Sequence, residues 1–363
     1  MQIYLIILPV IVFIYLFTMN RFFYSKKTFV IISFTLLGFI SAFRGNIVGT
    51  DVYSYQEIFM NNIQGGNLGD LQNKSKGYYI FSRIVGYYSA TPQAITISCS
   101  VLVSALVGYF IYKNSKQVLL STFLFVSLYF FADSLNGVRQ FIAISLVINA
   151  HYLMIYEKKI RALLTLFLAL SFHLTAIIGI FILIIDKINW NIKKFSILTV
   201  VLLIISGAYN QIFNFFTSHL STYSLYASFT NESSEKGKLI FIFLIYLISI
   251  FTLVILEYNK KISLSNGDYS ILVIYYIGVL FSVIFFYNTF MFQLIRRLLL
   301  YFNIFGILYF PIFSDKISSL SKYPKTTNTI IICSVMLVTF YTYFSSLNSN
   351  MNGIVPYITF FQK

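Results

Sequence analysis

Apolar runs of about twenty residues, repeated from one end of the chain to the other, limit this sequence more than any motif does. About 20 apolar residues are needed for a helix to cross ~30 Å of hydrocarbon. In lipid, only helices and closed barrels satisfy their own backbone polar groups. The runs lack the period-two alternation of barrel strands, so they are read as helices. Crossing segments are expected near 2–19, 28–43, 93–112, 118–132, 141–156, 195–212, 239–256, 270–287, 298–314 and 327–344. Composition agrees, with 58% hydrophobic and 10% charged residues, against about 25% charged in a soluble domain. The expected fold is an all-α polytopic transmembrane bundle forming a single integral domain over 1–363, with about ten crossings and a re-entrant helical hairpin.

Several function classes fall away. There is no Gly-rich nucleotide loop, zinc-protease motif or nucleophile elbow, and no zinc-type cysteine spacing, so no metal or cofactor is implied. Cys99 and Cys333 both sit inside apolar runs and read as buried or lipid-facing thiols. The first helix has no basic n-region and no small-residue cleavage site, so it reads as a retained helix. A net charge of +15 in a membrane chain points to an anionic leaflet and anionic substrates rather than to nucleic acid.

Lys and Arg concentrate in cytoplasmic loops. Placing Arg21, Lys26 and Lys27 inside puts the loop at 44–92 outside, Lys113 and Lys116 inside, 133–140 outside, and Lys158, Lys159 and Arg161 inside. The apolar block 162–185 then decides the rest. If it crosses, the 26 basic residues split 13 inside and 13 outside; if it enters and returns around Ser171-Phe172-His173-Leu174-Thr175, they split 16 and 10. Half of that block spans about 18 Å and reaches only the midplane. The second arrangement is favoured, and it makes 213–238 a further outer loop.

Charges at membrane depth are costly and mark function. Arg139 opens an apolar helix in Asp133-Ser-Leu-Asn136-Gly137-Val-Arg139-Gln140. An arginine there anchors a helix end or, with Asn136 and Gln140, faces a substrate. Arg296 and Arg297 lie close before Tyr301 and diverge by about 100° on a helix. Guanidinium groups match phosphate oxygens in bidentate fashion. His173 stands at the suspected turn, where an imidazole acts as base, acid or donor. His151 and His219 read as packing and loop residues. The outer loop carries Arg44, Gly49, Thr50, Asp51, Tyr55, Glu57, Tyr78 and Tyr79, and the later one Tyr223 and Tyr226. Tyrosine rings suit sugar faces, and carboxylates accept hydroxyl hydrogen bonds.

These residues carry a resemblance. Asn136-Gly-Val-Arg139-Gln140-Phe-Ile-Ala143, followed by a basic turn and by Ser171-Phe172-His173-Leu-Thr175, resembles the EpsG family of Wzy-type polysaccharide polymerases. Arg44…Gly49-Thr50-Asp51…Tyr55 is similar to its first outer-loop motif, and Arg296-Arg297…Tyr301 to its C-terminal arginine motif. One stretch departs: Lys74-Ser75-Lys76-Gly77-Tyr78 lacks the acid the family often carries there, which passes that role to Asp51 or Glu57. The resemblance implies a glycosyltransferase of the bacterial cytoplasmic membrane that joins undecaprenyl-diphosphate-linked oligosaccharide units on the outer face, in capsule, exopolysaccharide or O-antigen synthesis. Its catalytic residues would be Asp51, Arg139, His173, Arg296 and Arg297. Arg44, Tyr55, Tyr78, Asn136, Gln140, Tyr223 and Tyr301 would bind substrate. Membrane lipid, a flippase and a chain-length regulator are the partners it implies. Two other readings use a similar basic cavity: a flippase for the lipid-linked unit, and a multi-pass O-acyltransferase.

Overall fold

The computed structural model of the chain describes residues 1–19, 25–66, 75–207, 236–286, 292–350 and 352–362. Among these residues the fold is helical, and the isolated bridge between Arg44 and Thr359 is its β-type pairing. In chain order the helices are α1 (Gln2–Thr18), α2 (Lys26–Ala42), α3 (Val52–Ile63), α4 (Lys76–Tyr88), α5 (Pro92–Asn114), α6 (Val118–Ser127), α7 (Phe130–Asn136), α8 (Val138–Ile155) and α9 (Lys159–Phe172). A 3-10 turn (Leu174–Ile177) leads to α10 (Ile178–Ile185), α11 (Ile192–Gly207), α12 (Lys236–Tyr258), α13 (Asn266–Phe286), α14 (Phe292–Asn303), α15 (Gly306–Ser318) and α16 (Pro324–Ser349). The chain forms two compact units, Met1–Ile180 with Thr329–Lys363, and Phe181–Asn328.

Over its described residues, each of the ten expected crossing segments falls on a helix or on a bent pair of helices; residues 208–212 and 287 lie outside the described residues. By length and composition, α5, α8, α12, α13 and α16 are able to cross a bilayer, and up to seven spans result if the bent pairs α6–α7 (51°) and α14–α15 (41°) each count as one. Helices α1 and α2, of 17 residues, and α11, of 16, fall short of that length. Ten crossings are therefore not established; a chain of multiple membrane helices is.

Two expected continuous helices are broken. Between α6 and α7, Tyr129 takes a left-handed conformation with φ of 72°. A bulky residue holds that backbone only where its surroundings fix it; here the ring is buried and meets Tyr343 edge-on at 6.1 Å. The break re-aims α7, which carries Asn136. The other break lies between Asn303 and Gly306. There Gly278 of α13 lets the backbone approach, since a Cβ at that position would lie 3.0 Å from the Asn303 amide nitrogen.

Close helix approach and buried hydroxyls hold the first unit together, as expected where lipid offers no contrast with an apolar core. A Cβ on Gly38 of α2 would lie 3.0 Å from Ser104 Oγ on α5, and one on Gly108 would lie 3.0 Å from the Phe34 ring. Ser41 and Ser100 hydroxyls share a 2.7 Å hydrogen bond across the same seam. Asn149 of α8 donates to the Leu106 carbonyl at 3.0 Å, and Ser127 donates to Thr339 of α16 at 3.0 Å.

The block 162–185 doubles back. A Cβ on Gly179 would lie 2.5 Å from Leu166 Cδ1 and 3.1 Å from Val147 Cγ2. In one straight helix, residues 166 and 179 would stand about 20 Å apart at ~1.5 Å per residue. The reversal falls at His173, which is extended (φ −154°, ψ 126°) between α9 and the 3-10 turn.

Candidate active site

Motifs far apart in sequence meet in the first unit. The Arg44–Tyr55 loop is fixed to α7 by Asn136. Its Oδ1 accepts from the Thr50 hydroxyl at 2.9 Å and from the Asp51 N–H at 3.0 Å. The Thr50 hydroxyl also lies 3.2 Å from Asp51 Oδ1. Gly49 permits this loop: its φ is +102°, and a Cβ there would press against the Leu135 carbonyl oxygen at 3.1 Å. Asp51 is half-buried and begins α3, which presents Tyr55.

Arg139, one turn beyond Asn136, lies between two tyrosines. Its guanidinium carbon sits 5.2 Å from the Tyr55 ring centroid and 5.7 Å from that of Tyr78, within cation–π range. One nitrogen donates to Ser75 Oγ at 3.3 Å, while Nε is buried without an acceptor. Among the described residues no carboxylate pairs with this guanidinium. A buried donor left unpaired costs about 1–3 kcal/mol, more when charged, so the arrangement stores demand for an anion. Tyr78 is buried, and burial holds its hydroxyl well above the ordinary phenol range, as a neutral group.

The third motif arrives through α4. A Cβ on Gly77 would collide with Ser171, lying 2.9 Å from its backbone carbonyl carbon, and Phe81 meets Phe172 at 6.0 Å. The helix that carries Tyr78 is thus seated on the turn that carries His173. There His173 Nδ1 lies 2.6 Å from Thr175 Oγ1 and accepts from the Thr175 N–H at 3.4 Å. A backbone N–H only donates, so Nδ1 holds a lone pair and the neutral ring carries its proton on Nε2. Replacing Gly77 with alanine is expected to lower stability by about 1–3 kcal/mol through overpacking and to shorten the product. Adding Ser171→Gly is expected to restore both only in part, because it removes the obstructing Oγ and Cβ but leaves the backbone carbonyl carbon at 2.9 Å. Thermal melting and product length check both statements.

Arg44 takes a different place from the one the sequence suggests. It is 1% exposed. Its guanidinium donates to the Ser41 carbonyl, to Ser41 Oγ at 2.9 Å, to Ser100 Oγ at 3.2 Å and to the Leu135 carbonyl at 3.0 Å. Burial pushes its pKa down to about 10, which leaves it protonated at neutral pH. It staples α2, α5 and α7 together behind the loop. Gln140 is buried at the start of α8. Glu57 lies exposed on α3. His151 is fully buried in α8. Cys99 is buried and Cys333 exposed, and both are free thiols. In the second unit, Arg296 is half-buried, Arg297 exposed and Tyr301 buried on α14. Tyr223, Tyr226 and His219 lie outside the described residues. No group of three or more metal-ligating side chains gathers among the described residues.

Nothing in the sequence points to what clasps the loop. The C-terminal segment accepts from three of its amides: Gly45 N–H to Ile358 O at 2.7 Å, Gly49 N–H to Gly353 O at 2.9 Å and Thr50 N–H to Asn352 O at 3.3 Å. Asn352 also donates to the buried Asp133 carboxylate of α7 at 2.8 Å. Only the turn residues Asn350, Asn352, Gly353 and Pro356 marked this segment, and turn chemistry does not name a partner.

The EpsG family model matches residues 27–359, from the start of α2 to the end of that clasp. The chain belongs to the EpsG family. EpsG is a Wzy-like polysaccharide polymerase family. Neither the curated proteins nor the solved structures give a match. The EpsG match takes in the Asp51 loop, the Asn136–Gln140 stretch, the His173 turn and the Arg296–Arg297 pair alike.

Proposed function

We propose that this EpsG protein is a glycosyltransferase of the bacterial cytoplasmic membrane. It would polymerise undecaprenyl-diphosphate-linked oligosaccharide units on the outer face, with block 162–185 as a re-entrant hairpin. The observation that carries this reading is the Arg139 guanidinium, flanked by Tyr55 and Tyr78 and with no carboxylate partner among the described residues. It is a built anion site with rings beside it for a sugar. Fixed donors in a dry site stabilise charge that develops on a leaving group, and a lipid diphosphate is such a group.

In the transfer, the acceptor sugar hydroxyl attacks the anomeric carbon of the growing chain. The new glycosidic bond forms as the bond from that carbon to the diphosphate oxygen breaks. The hydroxyl proton must go to a base. Asp51 is assigned that role, because its half-buried carboxylate accepts from the Thr50 hydroxyl while Asn136 holds its backbone N–H. His173, with its proton on Nε2, is assigned as a donor to substrate oxygen. Arg296 and Arg297, in the second unit, are proposed for substrate phosphate on residue type and the family resemblance alone, and Arg44 positions the loop without touching substrate.

Purified protein supplied only with lipid-linked repeat units is expected to yield a ladder of lengths without nucleotide sugar. Single units that move between leaflets without joining would favour a flippase. Polymer of ordinary length lacking acetyl groups in a deletion strain would favour an O-acyltransferase.

A further inference from the structure

An apolar groove of about 770 Å³ runs along α2 and α5 in the first unit. Ile31, Phe39, Val101 and Tyr109 line it and are exposed, so it opens on the outer surface of the helices. Its character changes at one end, where Lys27, Lys113 and Tyr112 complete the lining. The ammonium groups of Lys26 and Lys113 lie 5.6 and 5.3 Å from the centroid of the same Tyr112 ring, and Lys113 is also 5.8 Å from that of Tyr109. Lys26 is committed to the end of α5 through a 2.7 Å hydrogen bond to the Ser115 carbonyl. Lys27 and Lys113 are exposed, and among the described residues neither has an ion pair or hydrogen bond.

This cationic end is the start of α2, whereas Arg44 follows the far end of that helix, 17 residues on, or about 25 Å away at ~1.5 Å per residue. The cationic end of the groove is thus separate from the loop that begins at Arg44. The distribution of basic residues puts its cationic end at the cytoplasmic leaflet, where anionic phospholipids lie.

We propose that this groove binds an anionic phospholipid of the cytoplasmic leaflet. Lys27 and Lys113 hold the phosphate, Tyr109 and Tyr112 lie at the glycerol level, and an acyl chain follows Ile31 and Val101. Charge complementarity selects this occupant: a zwitterionic lipid would fill the apolar part but bring its own cation beside two ammonium groups, offsetting the attraction of its phosphate.

The test is native mass spectrometry of the full chain in detergent, titrated with phosphatidylglycerol and with phosphatidylcholine of the same acyl chains. Each lysine near a membrane surface contributes a factor of about five. Wild type is therefore expected to favour phosphatidylglycerol about 25-fold. K27Q and K113Q should each lower that preference about fivefold, and the double variant should abolish it. Both lysines are exposed, so these variants keep the fold. Ala105→Trp, which fills the groove, should weaken both lipids alike. Equal retention of the two lipids by wild type would overturn the proposal. So would a preference that survives the double substitution, or displacement of phosphatidylglycerol by an equimolar amount of undecaprenyl phosphate.

Discussion

Replacing Arg139 with alanine is expected to leave single lipid-linked units unjoined, with a fall of about 10²–10³ in the reconstituted rate of polymerisation, the size of effect seen when a fixed donor to developing negative charge is removed. The same change should not destabilise the protein. The guanidinium lies between Tyr55 and Tyr78, and among the described residues Nε is unpaired and the fork makes a 3.3 Å hydrogen bond to Ser75 and no ion pair, so its removal is expected to relieve a desolvated charge instead of breaking an ion pair. Lysine should not rescue the rate, because a point charge lacks the planar fork that meets two phosphate oxygens. A helix anchor would behave in the opposite way: lysine would replace it, and alanine would cost melting temperature. An ordinary ladder from the Arg139→Ala protein would remove the anion site from the mechanism.

The second large effect is expected from truncation after Asn350. The amides of Gly45, Gly49 and Thr50 would lose the carbonyls of Ile358, Gly353 and Asn352, and Asp133 would lose the Asn352 amide. Each buried polar group left unpaired costs about 1–3 kcal/mol, so the loss is several kcal/mol. The Asp51 loop should detach from Asn136, and polymerisation should cease. Asn352→Leu isolates one part of the clasp: the Thr50 acceptor is backbone and survives, while Asp133 loses the Asn352 amide. A fall of about 1–3 kcal/mol in stability is expected, with part of the activity retained. Melting curves and product ladders of the two proteins measure this. A truncated protein with wild-type activity would show that the loop keeps its shape without the clasp.

Much of the candidate site was legible because its residues are costly in lipid. Arg139, Asn136, Asp51 and His173 stood out as polar groups in or beside apolar helices, and the structure links their motifs through Thr50, Ser75 and the Gly77–Ser171 contact. Arg44 stood out for the same reason and proved to be a buried staple. Residue type marks an expensive group without showing whether it pays its way by binding substrate or by holding helices together. The breaks at Tyr129 and at 304–305 were illegible, since the sequences on both sides are equally apolar.

By itself, the sequence determined that this chain is built of apolar helices and that it carries few polar groups within them; it favoured a turn near His173 over a crossing without deciding between them. Run length and the cost of charge in hydrocarbon are local properties, so they can be read one segment at a time. Only the tertiary structure decided that Arg44 is buried among carbonyls and hydroxyls while Arg139 lies between two tyrosines, that α4 seats Tyr78 on the His173 turn, and that residues 352–360 clasp the Asp51 loop. In lipid, the packed and lipid-facing sides of a helix are both apolar, so the pattern of a single helix does not say which side meets a neighbour; small residues and hydrogen bonds from distant segments settle it.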